Sequence, residues 1–141
     1  MAAVSKATTT WNGDLGSGAG STALETSGVA TFDVSWKART EPGGGTTTPE
    51  ELLGAAHASC FSMALAHGLT ENGTAPTTIS TTAEVSFVPG TGITGIALTA
   101  TATVEGLQDA DFQRIAEETK TGCPVSAALA SVPITLTATL A

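Results

Sequence analysis

The sequence predicts an α+β domain, and three patterns carry that prediction. Strict apolar–polar alternation recurs in both halves of the chain, a nearly uncharged run of helix formers lies between them, and an amphipathic stretch precedes the last alternating segment. Residues 1–141 read as a single domain, with no internal repeat and no linker.

Residues 8–11 and 21–26 read as short strands, the second turning back through Ser27-Gly28. Residues 29–39 place Phe32, Val34, Trp36 and Ala38 on one face and Asp33, Ser35, Lys37 and Arg39 on the other, the period of a half-buried strand. Gly43-Gly44-Gly45 then breaks regular structure. A helix start follows, with Thr48 as N-cap, Pro49 at the first helical position and Glu51 closing a capping box. This helix should run to about Gly68 or Asn72, where Asn72-Gly73 supplies a stop. After its first turn it is built from Leu, Ala, His, Cys, Phe and Met with scarcely a charge, which predicts burial on all sides.

In the second half, Ile79, Thr81, Ala83, Val85 and Phe87 form one stripe, Ile96, Leu98, Ala100, Ala102 and Val104 a second, and Ile134, Leu136, Ala138 and Leu140 a third. Interleaved with threonine, these predict half-buried antiparallel strands. Residues 109–120 predict a helix with Phe112, Ile115, Ala116 and Thr119 facing inward, followed by Gly122, Cys123 and a short helix to Ala130.

Thirteen acidic residues face five basic ones, for a formal charge of −8, and Lys6, Lys37, Arg39, Arg114 and Lys120 are scattered. That excludes the clustered basic surface that displaces counterions from nucleic acid, and the absence of Tyr removes a common stacking platform for bases. No apolar export signal opens the chain and no run reads as a membrane span, so the expected setting is cytoplasmic and reducing. Disulfides there are transient and catalytic, so the only two cysteines, Cys60 and Cys123, point to chemistry.

Cys60 lies deep in the central helix, about 16 Å from its start at about 1.5 Å per residue, beyond the reach of the helix dipole. Apolar neighbours such as Phe61 and Met63 should raise its pKa, so a reactive Cys60 needs a cation. Of the two arginines, Arg39 is better placed than Arg114, just before the glycine loop that leads into the helix. Cys123 precedes Pro124 and reads as an N-cap with free backbone N–H groups beside its sulfur, which suits a resolving thiol or a leaving group. Plainer readings exist for each residue. Cys60 fits a structural core cysteine, Arg39 a solvated strand end, and Glu50 and Glu51 ordinary first-turn partners of the dipole. His57, three residues before Cys60 on the same face, allows a Cys-His hydrolase or acyl transferase, and a non-catalytic stress or ligand-binding protein is a further alternative. His57, Cys60 and His67 span almost three helical turns and cannot share one zinc ion, so no metal is expected.

Two segments carry a family resemblance: Thr48-Pro49-Glu50-Glu51-Leu52-Leu53-Gly54-Ala55-Ala56-His57-Ala58-Ser59-Cys60-Phe61-Ser62-Met63-Ala64-Leu65, and Gly122-Cys123-Pro124-Val125-Ser126. With them the chain resembles the osmotically inducible protein C and organic hydroperoxide resistance (OsmC/Ohr) family, and His57 suits the osmotically inducible branch. The resemblance implies an intertwined homodimer with antiparallel sheets wrapped around long central helices. It also implies a thiol peroxidase that turns organic hydroperoxides, and hydrogen peroxide more slowly, into alcohols without a cofactor. Cys60 matches the peroxidatic position, Cys123 the resolving one and Glu50 the glutamate that orients an arginine, here Arg39. A Cys60–Cys123 disulfide, recycled by an external dithiol of the lipoyl type, completes the implied cycle.

Overall fold

The computed structural model describes residues 1–41 and 43–141, which form two compact units, Met1–Pro49 and Glu50–Ala141. In the first unit, β1 (Ala7–Asn12), β2 (Ala19–Leu24) and β3 (Thr31–Val34) make an antiparallel meander in that order. The strand expected over residues 29–39 is shorter than its alternation suggests. At Ser35 the chain turns into a short helix, α1 (Trp36–Thr40), because the Ser35 hydroxyl accepts the Ala38 N–H at 3.3 Å and so caps the helix. Arg39 therefore lies in the last turn of α1 and not at a strand end. Thr22, at 7% exposure, is the one buried residue among those described in this unit.

The second unit is built on α2 (Pro49–Glu71), whose Gly54, His57, Phe61, Leu65 and Leu69 form one buried face at helical spacing. Against it stands a sheet of β4 (Thr78–Val88), β5 (Gly92–Thr103) and β6 (Ile134–Leu140), ordered β4-β5-β6. The Ser62 hydroxyl donates to that of Thr81 on β4 at 2.7 Å. Nearby, a Cβ on Gly54 would stand 3.1 Å from the Ala83 carbonyl oxygen, so glycine permits the close approach of helix to strand. β5 is the central strand, and its Ile96, Leu98, Ala100 and Ala102 fill the core with Phe61, Leu65 and Leu69. α3 (Asp109–Gly122) buries the predicted Phe112, Ile115, Ala116 and Thr119, and α4 (Pro124–Ala128) follows at once.

Three expectations are corrected. β4 and β5 pair antiparallel, but β6 runs parallel to β5, because α3 and α4 cross over and return the chain to the end where β5 began. α2 is not buried all round. Ala55, Ala56, Ser59, Met63 and His67 are exposed, Met63 at 68%, since one sheet and α3 cover only one side of a cylinder. Finally, α2 is long and apolar enough by length and composition to cross a membrane, although no such run was expected, yet the fold sets its Phe61 face into a protein core.

A candidate two-thiol active site

The second unit brings the two cysteines together. Cys60 Sγ, on α2, lies 3.1 Å from Cys123 Sγ across a separation of 63 residues, and both are free thiols. Cys123 is fully buried and Cys60 half-buried. Cys123 is the joint between two helices: its N–H donates to the Thr119 carbonyl and its carbonyl accepts the Ala127 N–H, both at 2.9 Å. Pro124 takes the first helical position of α4, as the sequence predicts, and Cys123 keeps an extended backbone at φ −60° and ψ 125°.

That joint gives the two sulfurs unlike electrostatics. Burial pushes the Cys60 thiol up and the adjacent Cys123 adds to the rise, while the Val125 N–H pulls the other way. Burial also opposes ionisation of Cys123. There the Ser126 N–H, the Cys60 thiol, the Ser126 hydroxyl and the Val125 N–H together outweigh it, and the Cys123 pKa falls below the ordinary thiol value. Either thiol can donate to the other across 3.1 Å. Sequence reasoning anticipated that burial raises the Cys60 pKa but missed the Val125 amide, which belongs to α4.

His57, the alternative base for Cys60, is fully buried with its Nε2 2.7 Å from the Ser126 hydroxyl oxygen. Ser126 is the polar residue the sequence reading overlooked. Its place in Cys123-Pro124-Val125-Ser126 at the third position of α4 was the available signal. Glu50 sits in the first turn of α2 at 7% exposure.

The remaining predicted residue, Arg39, belongs to the first unit, where its guanidinium lies 5.7 Å from the centroid of the Trp36 ring. With Trp11, Leu15, Val34 and Trp36 it lines a mostly apolar cavity of about 330 Å³. In the second unit, Arg114 is held by Glu118 at 3.2 Å and Asp111 at 3.7 Å, and Lys120 by Glu117 at 3.3 Å.

An α+β chain that holds two free thiols within hydrogen-bond reach between a central helix and a crossover belongs, as a class, with the thiol-redox proteins. More particularly, the model of the OsmC-like protein family matches residues 42–137, and the chain belongs to that family. It is 43% identical over 122 residues to the peroxiredoxin OsmC of Escherichia coli K12, covering 84% of this chain and 85% of that one, and matches the peroxiredoxin OsmC of Shigella flexneri equally well. Among solved structures it is similar to an organic hydroperoxide resistance protein OsmC from Legionella pneumophila, at TM-score 0.73 and 26% identity over 99% of this chain and 100% of that one. An OsmC-like protein from Mycoplasma pneumoniae, at TM-score 0.75 but 13% identity over 99% of both chains, shares the fold.

Proposed function

We infer that this chain is a thiol-based peroxidase that reduces organic hydroperoxides to alcohols, with Cys60 as the attacking thiol and Cys123 as the resolving one. The observation that carries the reading is the 3.1 Å approach of the two sulfurs, and the peroxiredoxin relatives at 43% identity support it. The Cys60 thiolate attacks the outer peroxide oxygen. The O–O bond breaks, an alkoxide leaves and is protonated to the alcohol, and Cys60 becomes a sulfenic acid. Cys123 then displaces hydroxide from that sulfur to form the disulfide, and an external dithiol reopens it.

Burial holds the proton on Cys60, so attack at neutral pH requires a cation beside it. Arg39, which the family resemblance assigns and which precedes the glycine loop leading into α2 in the sequence, is the cation we propose. Its guanidinium would also stabilise charge developing on the departing alkoxide. Glu50 is assigned to orient the guanidinium by a bidentate pair. A homodimer is the assembly we propose: the exposed stripe of Ala55, Ala56, Ser59, Met63 and His67 on α2 is the surface a second copy would cover. The cytoplasm is the proposed compartment. A Cys-His hydrolase is disfavoured because His57 Nε2 is engaged by Ser126.

Thiol counting tests the proposal. One equivalent of cumene hydroperoxide should take the reduced protein from two titratable thiols per chain to none. Two thiols remaining after the peroxide is added would remove the peroxidase reading and return the hydrolase to consideration.

A further inference from the structure

The chain has two tryptophans and no tyrosine, and both tryptophans line one cavity of about 330 Å³ in the first unit, with Leu15, Val34, Ser35 and Arg39. Trp11 is fixed there as a wall. Its Nε1–H donates to the Gly13 carbonyl at 3.0 Å, and its ring is seated against Gly20 and Gly18, where a Cβ would stand 2.7 Å from Cε3 and 2.9 Å from Nε1. Glycine at both positions makes room for the indole. The hydroxyls of the wall are already engaged within the unit. That of Thr9 donates to Thr22 at 2.8 Å, and that of Ser35 accepts the Ala38 N–H and pairs with the Thr46 hydroxyl at 3.1 Å. What the cavity offers a ligand is apolar surface, part of it exposed on Trp11 at 37% and Leu15 at 56%, and one cation. Among the described residues Arg39 is the only charged side chain on this wall, in a chain of formal charge −8. A guanidinium has five N–H donors, more than one bidentate partner uses, so it can hold a ligand alongside a partner within the protein.

These features select the ligand. A lone positive charge selects an anion, and the planar guanidinium suits a carboxylate, which it meets with two parallel hydrogen bonds. Two indoles favour a flat ring, held by offset stacking, over an aliphatic body. A volume near the lower end of the roughly 300–1,000 Å³ range of ligand pockets admits one or two rings and leaves out a long acyl chain. We propose that the cavity is a binding site for small aromatic carboxylates, with the ring against Trp11 and Trp36 and the carboxylate on the Arg39 guanidinium. Occupancy restrains the peroxidase, a consequence that rests on the reading above in which Arg39 is the cation that activates Cys60. A bound carboxylate offsets that positive charge and draws guanidinium donors to itself, so less of the cation's field is left to hold a thiolate.

Tryptophan fluorescence of the reduced full-length protein tests the site, since every tryptophan of the chain lines the cavity. Benzoate should change the emission saturably, with a Kd of about a millimolar for so small a ligand. Benzamide, of the same shape without the charge, should bind about tenfold more weakly, and cyclohexanecarboxylate, which keeps the charge but has no π face, about threefold more weakly. Arg39→Met should weaken benzoate about tenfold and leave benzamide unmoved. Leu15→Glu sets a carboxylate against the ligand from an exposed position and should weaken benzoate about threefold or more. In turnover with cumene hydroperoxide, benzoate should slow peroxide consumption half-maximally near its Kd, and Leu15→Glu should shift both concentrations together. The absence of a saturable benzoate signal overturns the site. So does equal binding of benzamide, or an Arg39→Met protein that binds benzoate like wild type; should that variant fail to fold, unchanged benzoate binding in Leu15→Glu overturns it instead. Cyclohexanecarboxylate binding as tightly as benzoate overturns the aromatic class. The fluorescence titration consumes no peroxide, so it judges the site even if thiol counting removes the peroxidase reading. Benzoate binding that leaves peroxide consumption undiminished overturns the restraint on the enzyme.

Discussion

Cys60 sits in the middle of a long helix, where every nearby backbone N–H is committed to the carbonyl four residues back. Cys123 sits at a junction of two helices, where the amides of Val125 and Ser126 have no such partner. The sulfurs are 3.1 Å apart and of one chemical type, yet Cys60 is pushed up and Cys123 brought down. What separates them is the supply of donors at each backbone position. On the proposed reading Cys60 attacks the peroxide, so the cation assigned to Arg39 has to offset the burial that raises its pKa.

The widest break in the comparison is to remove one thiol at a time. Cys60→Ser should abolish turnover, whereas Cys123→Ser should consume one peroxide per subunit and stop with Cys60 as sulfenic acid. A sulfenate probe that labels Cys123 in the Cys60→Ser protein would exchange the two roles.

Removing the cation comes next in size. Arg39→Met should leave the Cys60 thiol raised by burial with no cation to offset it, and slow peroxide attack at pH 7 by about tenfold or more. If the Cys60 titration stays put in Arg39→Met but moves in Arg114→Met, the arginine has been misassigned.

A partial recovery sharpens the picture of Glu50. On one helix, Glu50 and Cys60 stand about 15 Å apart and point about 80° apart around the axis, so a compact site is easier if Glu50 comes from a second subunit. Co-expressed Glu50→Ala and Cys60→Ser chains, each nearly inactive alone, should give about a quarter of wild-type activity, since about half the dimers are mixed and each has one complete site. No recovery, with mixed dimers present by mass spectrometry, would place Glu50 in the site of its own chain.

The smallest effect concerns pH and the neutral His57 behind Cys123. Burial lowers the folded pKa of this base, so the unfolded chain takes up a proton first as pH falls. Its contribution to stability should be intact above about pH 7 and should decline as pH drops below about 6.5, by no more than about 1.4 kcal/mol per pH unit for one proton. Urea unfolding of wild type and His57→Gln between pH 7.5 and 5.5 checks this. The variant should show the flatter dependence, and parallel curves would refute it.

Much of the scaffold was legible because local pattern and tertiary demand agree. The inward face of α3 and the capping position of Cys123 fall where periodicity and Pro124 place them. The failures share a cause. Apolar–threonine alternation is the same in parallel and antiparallel strands, so the parallel entry of β6 was hidden in the crossover. Residues 36–40 continue the alternation of β3 closely enough to mask the Ser35 cap. An apolar helix announces that it must be covered but not by what, so the exposed side of α2 escaped notice. The contact of His57 with Ser126 joins residues 69 apart, and no local pattern encodes it.

The 63-residue separation of the thiols bears on endurance as well as reactivity. A disulfide there would close a long loop holding the β4–β5 hairpin and all of α3, and would tie α2 to α4. On chain-entropy grounds such a cross-link deprives the unfolded ensemble of about 4 kcal/mol. The protein would then melt several degrees higher after meeting a peroxide than before, and would soften again once a dithiol resets it. Its resistance to heat and proteolysis would record the last oxidant it encountered.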